Sequence, residues 1–354
     1  MFYPQFNGYT NEEYRKAVHS AEPQAPPPPL DDPAIRRAYL NKLVEAGSAA
    51  AMVRLADKIQ IQRFEFTTRD GVVLPGRSYR PLTAGDDPLP VFYYIHGGGY
   101  IMGSLDMDDS TCTEFALKSN IVVVHCDYRH TPEFTFPKPW EDSEDGFLWL
   151  HNNIDKVGGI ADQVIVGGVS AGAQLSASLV LRKNLGQFAP DVPPIAGQLL
   201  MVPPLFLPRT RLAQLKDAEN AEQSSYRANE FATMLSLESW IRDTDLLKVE
   251  DNDPRDLRIN GGNATVEEVR GLPPTTIAVN GLDILRDEGL DYGKLLVEAG
   301  VPTEVHIFKG MPHYFRGMGD KLSDSKRWDD VIDRGLTWPL THPTATGEFV
   351  IRED

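Results

Sequence analysis

Val164-Ile165-Val166-Gly167-Gly168-Val169-Ser170-Ala171-Gly172-Ala173-Gln174-Leu175 is the stretch whose reading decides the fold. Its first half, Val164 to Val169, is a short apolar run rich in β-branched residues, which reads as a buried strand. From Ala173 to Leu185 the pattern becomes helical. Between them, Gly168-Val169-Ser170-Ala171-Gly172 has to turn sharply. A Gly-x-Ser-x-Gly pattern alone is weak, because both residue types are common; placed between a strand and a helix it is specific. Small neighbours tolerate a strained serine, and the turn lifts its Oγ above the sheet edge. The helix that follows directs free N–H groups and the positive end of its dipole at the same point. Ser170 is the candidate nucleophile; the bland alternative is a glycine-rich turn with an idle serine.

Outward from this turn, short apolar runs alternate with longer helical patterns. The runs are Val91 to Ile95, Ile121 to Asp127, Val164 to Val169, Ile195 to Val202, Thr275 to Asn280 and Thr303 to Phe308. Such alternation predicts an α/β fold with a mostly parallel sheet covered by helices on both faces. Arg63 to Thr67 and Val72 to Tyr79, joined at Asp70-Gly71, predict an antiparallel hairpin at one edge. Residues 1–62 read as a separate N-terminal segment. It holds the four-proline run Pro26 to Pro29, a stiff spacer, and a helix whose apolar face is Ile35, Tyr39, Leu43 and Ala46. Residues 203–262 interrupt the alternation, are rich in charge and include a helical stretch from Phe231 to Arg242. An excursion of this length is too long for a plain loop and reads as an inserted cap. The core then comprises residues 63–202 and 263–354.

A serine nucleophile needs a base, and the base an orienting carboxylate. Among eight histidines, His313 stands apart. It lies in Gly310-Met311-Pro312-His313-Tyr314, directly after the run Thr303 to Phe308, and open α/β sheets build their sites on loops that leave the carboxyl ends of strands. His125 and His306 fall inside strands, while His19 and His342 lie in terminal regions. The acid is expected between serine and histidine in the chain. Asp283, just past Thr275 to Asn280, fits; Asp287 is the competitor, although its place suggests the first turn of the next helix, where an acid suits the dipole. His96-Gly97-Gly98-Gly99-Tyr100 follows the strand Val91 to Ile95, and three glycines let main-chain N–H groups face a developing negative charge. It lacks the Lys-Ser/Thr of a phosphate loop. His96 itself is expected to be a hydrogen-bonding residue of that loop.

Composition excludes several classes. With 41% apolar and 24% charged residues, the chain can bury a sizeable core. A net charge of −16 without a segregated basic patch argues against nucleic acid. Cys112 and Cys126 cannot form a disulfide framework and are expected as buried free thiols in a reducing, cytoplasmic setting. The N-terminus lacks the features of a signal peptide, and no stretch has the ~18 apolar residues of a membrane span, so stable membrane association is not expected. Asn263-Ala264-Thr265 is a sequon that reads as chance.

Four motifs together resemble the hormone-sensitive-lipase-like branch of the α/β-hydrolases, which includes many microbial carboxylesterases. They are His96 to Gly99, Asp127-Tyr128-Arg129 with Pro132-Glu133 and Pro137, Gly168 to Gly172, and Asp283 to Glu288 with His313. The resemblance implies that Gly98, Gly99 and Ala171 donate oxyanion N–H groups, that residues 1–62 and 203–262 form a helical cap, and that neither metal nor cofactor is used. Neither His-Glu-x-x-His nor a cysteine cluster is present. The chain departs from the family pattern at Val169, Ala173, His130-Thr131 and Tyr314, so substrate preference cannot be copied. Tyr100, Tyr314 and Trp240 are the candidate substrate-binding residues, with Phe231, Met234, Leu237 and Trp240 expected on one helix face.

The expected function is hydrolysis of short- to medium-chain carboxylic esters of small molecules through an acyl-enzyme on Ser170, by a monomer or homodimer. The alternatives are the same three residues acting on a lactone, amide or thioester, or in acyl transfer, and a silent binding protein on this fold. With His313 as base, activity should fall on the acidic side as the imidazole gains its charge. A rate profile that stays flat from pH 5 to 8 would sink that assignment.

Overall fold

The computed structural model describes residues 1–8, 11–19, 31–250 and 252–353. The proline run Pro26 to Pro29 lies outside the described residues. Two helices open the chain, α1 (Glu12–His19) and α2 (Pro33–Met52). Asp32 caps α2 by accepting from Ala34 N at 2.7 Å, with Pro33 in the first turn. The hairpin β1 (Ile59–Thr67) and β2 (Val73–Pro81) follows, then β3 (Leu89–Ile95), α3 (Asp109–Ser119), β4 (Val122–Cys126), α4 (Lys138–Asn152), β5 (Gly159–Val169), α5 (Ala171–Asn184) and β6 (Gly197–Met201). Between β6 and β7 (Thr275–Asn280) stand α6 (Pro208–Lys216), α7 (Ser225–Ala228), α8 (Leu237–Asp245) and α9 (Val266–Val269). The chain closes with α10 (Arg286–Glu298), β8 (Thr303–Phe308), α11 (Ser323–Thr337) and the two-residue β9 (Ile351–Arg352).

These strands form one sheet in the order β1-β2-β4-β3-β5-β6-β7-β8-β9. The pairs β1/β2 and β2/β4 are antiparallel and every later pair is parallel. The central strands β4, β6 and β7 are buried along their whole length, as helices on both faces require. β1 begins at Ile59, four residues before the expected Arg63, because Ile59 already pairs with Pro81. Cys112 and Cys126 are buried and free. Among the described residues, no helix is long and apolar enough to cross a membrane.

Two sequence expectations fail. Ile35 and Leu43 on α2 are 48% and 47% exposed, whereas Arg36 and Ser48 are buried. The face turned inward is polar because it meets loop backbone and, at Arg36 and Arg37, the carboxylates of Asp243 and Glu133. Asn41 bonds both N and O of Gly103, at 3.2 and 3.1 Å, Arg37 Nε donates to Ile101 O at 2.6 Å, and Ser48 Oγ accepts from Ser110 N at 3.1 Å. A loop that must satisfy its own N–H and C=O groups selects polar partners over apolar ones. The second failure is the helix from Phe231 to Arg242. Ser236 caps α8 by accepting from Ser239 N, so the helix starts at Leu237. Phe231 and Met234 lie before it, 88% and 44% exposed, and do not share the buried face of Leu237 and Trp240.

Glu288 on α10 anchors the turn that leaves β6. Its Oε2 accepts from Leu205 N at 2.6 Å and Phe206 N at 3.1 Å, and the residue is 1% exposed. Burial raises this carboxyl from 4.5 to about 7, against the opposing pull of Arg211 and the two N–H groups. Between those values the folded chain holds a proton that the unfolded chain has released, so stability falls as pH rises through that window. The effect is on the order of 3 kcal/mol. Denaturant midpoints at pH 5 and pH 8 should therefore fall more in wild type than in Glu288→Gln; equal changes would refute the buried-carboxyl account.

Candidate active site

β5 ends where the chain must turn without leaving the sheet. Ser170 N still donates to Met201 O of β6 at 2.8 Å, yet Ser170 has φ 54° and ψ −123°, a strained conformation for a non-glycine residue. The flanking glycines are dictated by β3. A Cβ on Gly168 would lie 2.3 Å from Ile95 O, and one on Gly172 would lie 2.0 Å from the same oxygen and 2.4 Å from His96 O. The motif therefore exists because the end of β3 packs directly on it. The glycine loop after β3 is pressed against the serine in turn: a Cβ on Gly97 would sit 3.3 Å from Ser170 Cβ.

Two further loops leave the same end of the sheet, after β7 and β8. They are stitched together by Gly281 N to Phe308 O and Leu282 N to Met311 O, both 2.9 Å, and by Asn280 Nδ2 to Pro312 O at 2.8 Å. This brings Asp283 and His313 to the serine. His313 Nδ1 lies 2.6 Å from Asp283 Oδ2, and His313 Nε2 lies 2.8 Å from Ser170 Oγ. Asp283 is 1% exposed, and its other oxygen accepts from Leu285 N at 3.0 Å. A carboxylate so held can fix one imidazole tautomer, leaving Nε2 to take the serine proton. Asp287 is instead in the first turn of α10, accepting from Ser225 N at 2.8 Å.

The glycine loop folds back on itself, with Ile101 N and Met102 N both donating to Gly98 O at 3.1 Å, and Gly98 and Gly99 take φ of 117° and 60°. Among the described residues, the backbone N–H groups of Gly98, Gly99 and Ala171 bond to no carbonyl. Beside Gly99 stands Asp243 of α8, whose Oδ2 would lie 3.6 Å from a Cβ there, and Arg36 of α2 bonds Asp243 at 2.5 Å. The N-terminal segment and the segment before β7 thus meet at the glycine loop.

The three candidate substrate-binding residues lie in different settings. Tyr100 is fully buried at φ 65°, donates its hydroxyl to Gln174 Oε1, and stacks on Trp140 and Trp240 at centroid distances of 5.2 and 6.2 Å. Trp240 is 1% exposed. Tyr314 is 48% exposed as a residue, but its phenol is raised to about 12, first by burial of the hydroxyl end and then by Asp108. Two surface clefts of about 320 and 480 Å³ open elsewhere, one around Arg255 and Arg258, the other around Arg54 and Lys118. Neither is lined by Ser170, Asp283 or His313. Sequence reasoning missed Asn280, although it ends the run Thr275 to Asn280, and Asn229, whose Nδ2 donates to Asp283 O at 2.9 Å and Gly281 O at 3.2 Å. Nothing local marks Asn229, since its partners lie over fifty residues away.

Comparison with known proteins gives the same picture. A family model described as the alpha/beta hydrolase fold matches residues 92–317. Esterase LipI of Mycobacterium tuberculosis is 35% identical over 263 residues, 73% of this chain and 75% of that protein. Carboxylesterase NlhH of the same organism is 32% identical, covering 69% of this chain and 72% of its own. Among solved structures, vibralactone cyclase superposes with a TM-score of 0.84 at 25% identity, covering 95% and 96% of the two chains.

Gly172→Ala tests how closely this site is packed. The added methyl meets backbone carbonyls, which cannot swing aside, so the strand or the turn must move. The variant should lose thermal stability and, if it folds, react far more slowly with a fluorophosphonate. Unchanged melting and labelling would contradict the packing described.

Proposed function

We infer, from the premise that this chain belongs to the α/β-hydrolase family in its hormone-sensitive-lipase-like branch, that it is a serine carboxylesterase acting on small-molecule esters. The observation that carries the reading is the unbroken series of hydrogen bonds from Asp283 through His313 to Ser170. Ser170 Oγ attacks the ester carbonyl carbon as His313 Nε2 takes its proton. The Asp283 carboxylate accepts from Nδ1–H and stabilises the imidazolium that forms. The tetrahedral oxyanion receives the unengaged N–H groups of Gly98, Gly99 and Ala171, and the N-terminus of α5 adds its dipole. His313 then protonates the leaving alcohol. Water, deprotonated by the same imidazole, hydrolyses the acyl-enzyme. Every proton in this sequence is handled by the chain's own residues, so no cofactor is called for.

Residues 1–62 and 203–262 act in this reading as a cap over the site. The Arg36–Asp243 pair beside Gly99 and the Asn229 contacts to the Asp283 loop support it, because both tie capping segments to reactive loops. With Ser170 only 9% exposed, a short- to medium-chain acyl group is the preferred substrate. In this reading Tyr314, next to His313 in the chain and 48% exposed, meets its apolar part.

Hydrolysis of p-nitrophenyl esters from acetate to palmitate provides the test. Wild type should favour short and medium chains, and Ser170→Ala should fall to background. Asp283→Asn should lose about four orders of magnitude in kcat, as a wrong-tautomer histidine does in serine-triad enzymes. Undiminished turnover by Ser170→Ala would overturn the assignment of the nucleophile.

A further inference from the structure

Behind the glycine loop, three side chains unused by the reaction converge. One ligand atom each from His96, Asp127 and His130 lie within 4.8 Å of one another. His96 is fully buried, and the other two are partly so. His96 Nδ1 faces Gly97 O at 2.7 Å. A carbonyl oxygen only accepts, so this nitrogen carries a proton. Nε2 lies within hydrogen-bond distance of Asp127 Oδ1, at 3.3 Å, and that oxygen also accepts from Tyr128 N at 2.9 Å. His130 Nε2 is buried and has no hydrogen-bond partner among the described residues. Tyr128 holds the two imidazoles in place, stacking on His96 at 4.3 Å and tilting against His130 at 4.8 Å. Its hydroxyl donates to His96 O at 3.1 Å. The neighbouring cation, Arg37, is already engaged by Glu133 at 2.6 Å.

Two imidazoles and a carboxylate around one point suit a cation, which would take the place of the proton between His96 and Asp127. Two imidazole nitrogens and one carboxylate oxygen are a donor set for a borderline d-block dication and leave a fourth tetrahedral position for water. We propose that His96, Asp127 and His130 form a binding site for a divalent transition-metal ion of the Zn²⁺ type, outside the reaction centre. Tetrahedral bonds of this kind bring ligand atoms to about 3.4 Å apart, so side-chain movement of about an ångström closes the site. His96 directly precedes the glycine loop, and Gly103 packs on its ring so tightly that a Cβ would lie 1.9 Å from Cε1. A bound ion would therefore brace the loop. The proposal does not depend on the esterase reading.

The test uses untagged full-length protein stripped with a chelator, titrated with Co²⁺ and followed by visible absorption, with Zn²⁺ as competitor and melting temperature as second readout. One equivalent of Co²⁺ should give the intense band of a four-coordinate site, Zn²⁺ should displace it, and metal should raise the melting temperature. His130→Leu and Asp127→Asn should each weaken binding by more than about tenfold, the loss that removal of a mere outer-shell partner brings. No band in wild type, or unchanged affinity in both variants, overturns the proposal. Should the variants fail to fold by circular dichroism, X-ray absorption of the wild-type complex decides: two imidazoles in the shell uphold the site, and an all-oxygen shell refutes it.

Discussion

Everything in this molecule that bears on chemistry depends on one close approach. The carbonyl of Ile95, at the end of β3, lies where side chains on Gly168 and Gly172 would have to go. Because β3 and β5 are parallel neighbours, both finish at the same edge, and contact at this distance puts the glycine loop of one against the serine turn of the other. Any side chain at these positions would force the two strand ends apart. The serine's positive φ follows from the same constraint, since the chain must leave β5 for α5 within one residue while its N–H still serves β6.

The acid and base are delivered by a second, looser device. Loops after β7 and β8 are joined by main-chain bonds and by Asn280, so Asp283 and His313 are held relative to each other. Asn229 adds a restraint from the segment between β6 and β7, and Glu288 holds the turn from which that segment leaves. The reactive end of the sheet is thus coupled to the helices above it by buried polar groups. Such groups are directional and expensive to leave unpaired, which suits them to positioning rather than to adding bulk stability.

Much of this was legible in the chain. The strands Thr275 to Asn280 and Thr303 to Phe308 were read to the residue, because a fully buried parallel strand is an apolar run with sharp ends. The helix of residues 33–52 was found, but its inner face was misread. Periodicity identifies the apolar side, and here the partner is exposed backbone that calls for Arg37, Asn41 and Ser48. The helical spacing runs on before Leu237 although the helix does not, because spacing alone does not show where a cap residue begins one.

The sequence by itself determined the order of strands and helices, the serine turn with its glycines, and which loops could carry an acid and a base. These depend on local pattern: apolar runs, residues without side chains, and position just past a strand. Only the tertiary structure decided that His313 lies between Asp283 and Ser170, that Tyr100 is buried in an aromatic stack rather than open to solvent, and that His96, Asp127 and His130 face one another. Those relations join residues far apart in the chain, and distance in space between such residues is set by packing and strand register, which no local pattern encodes.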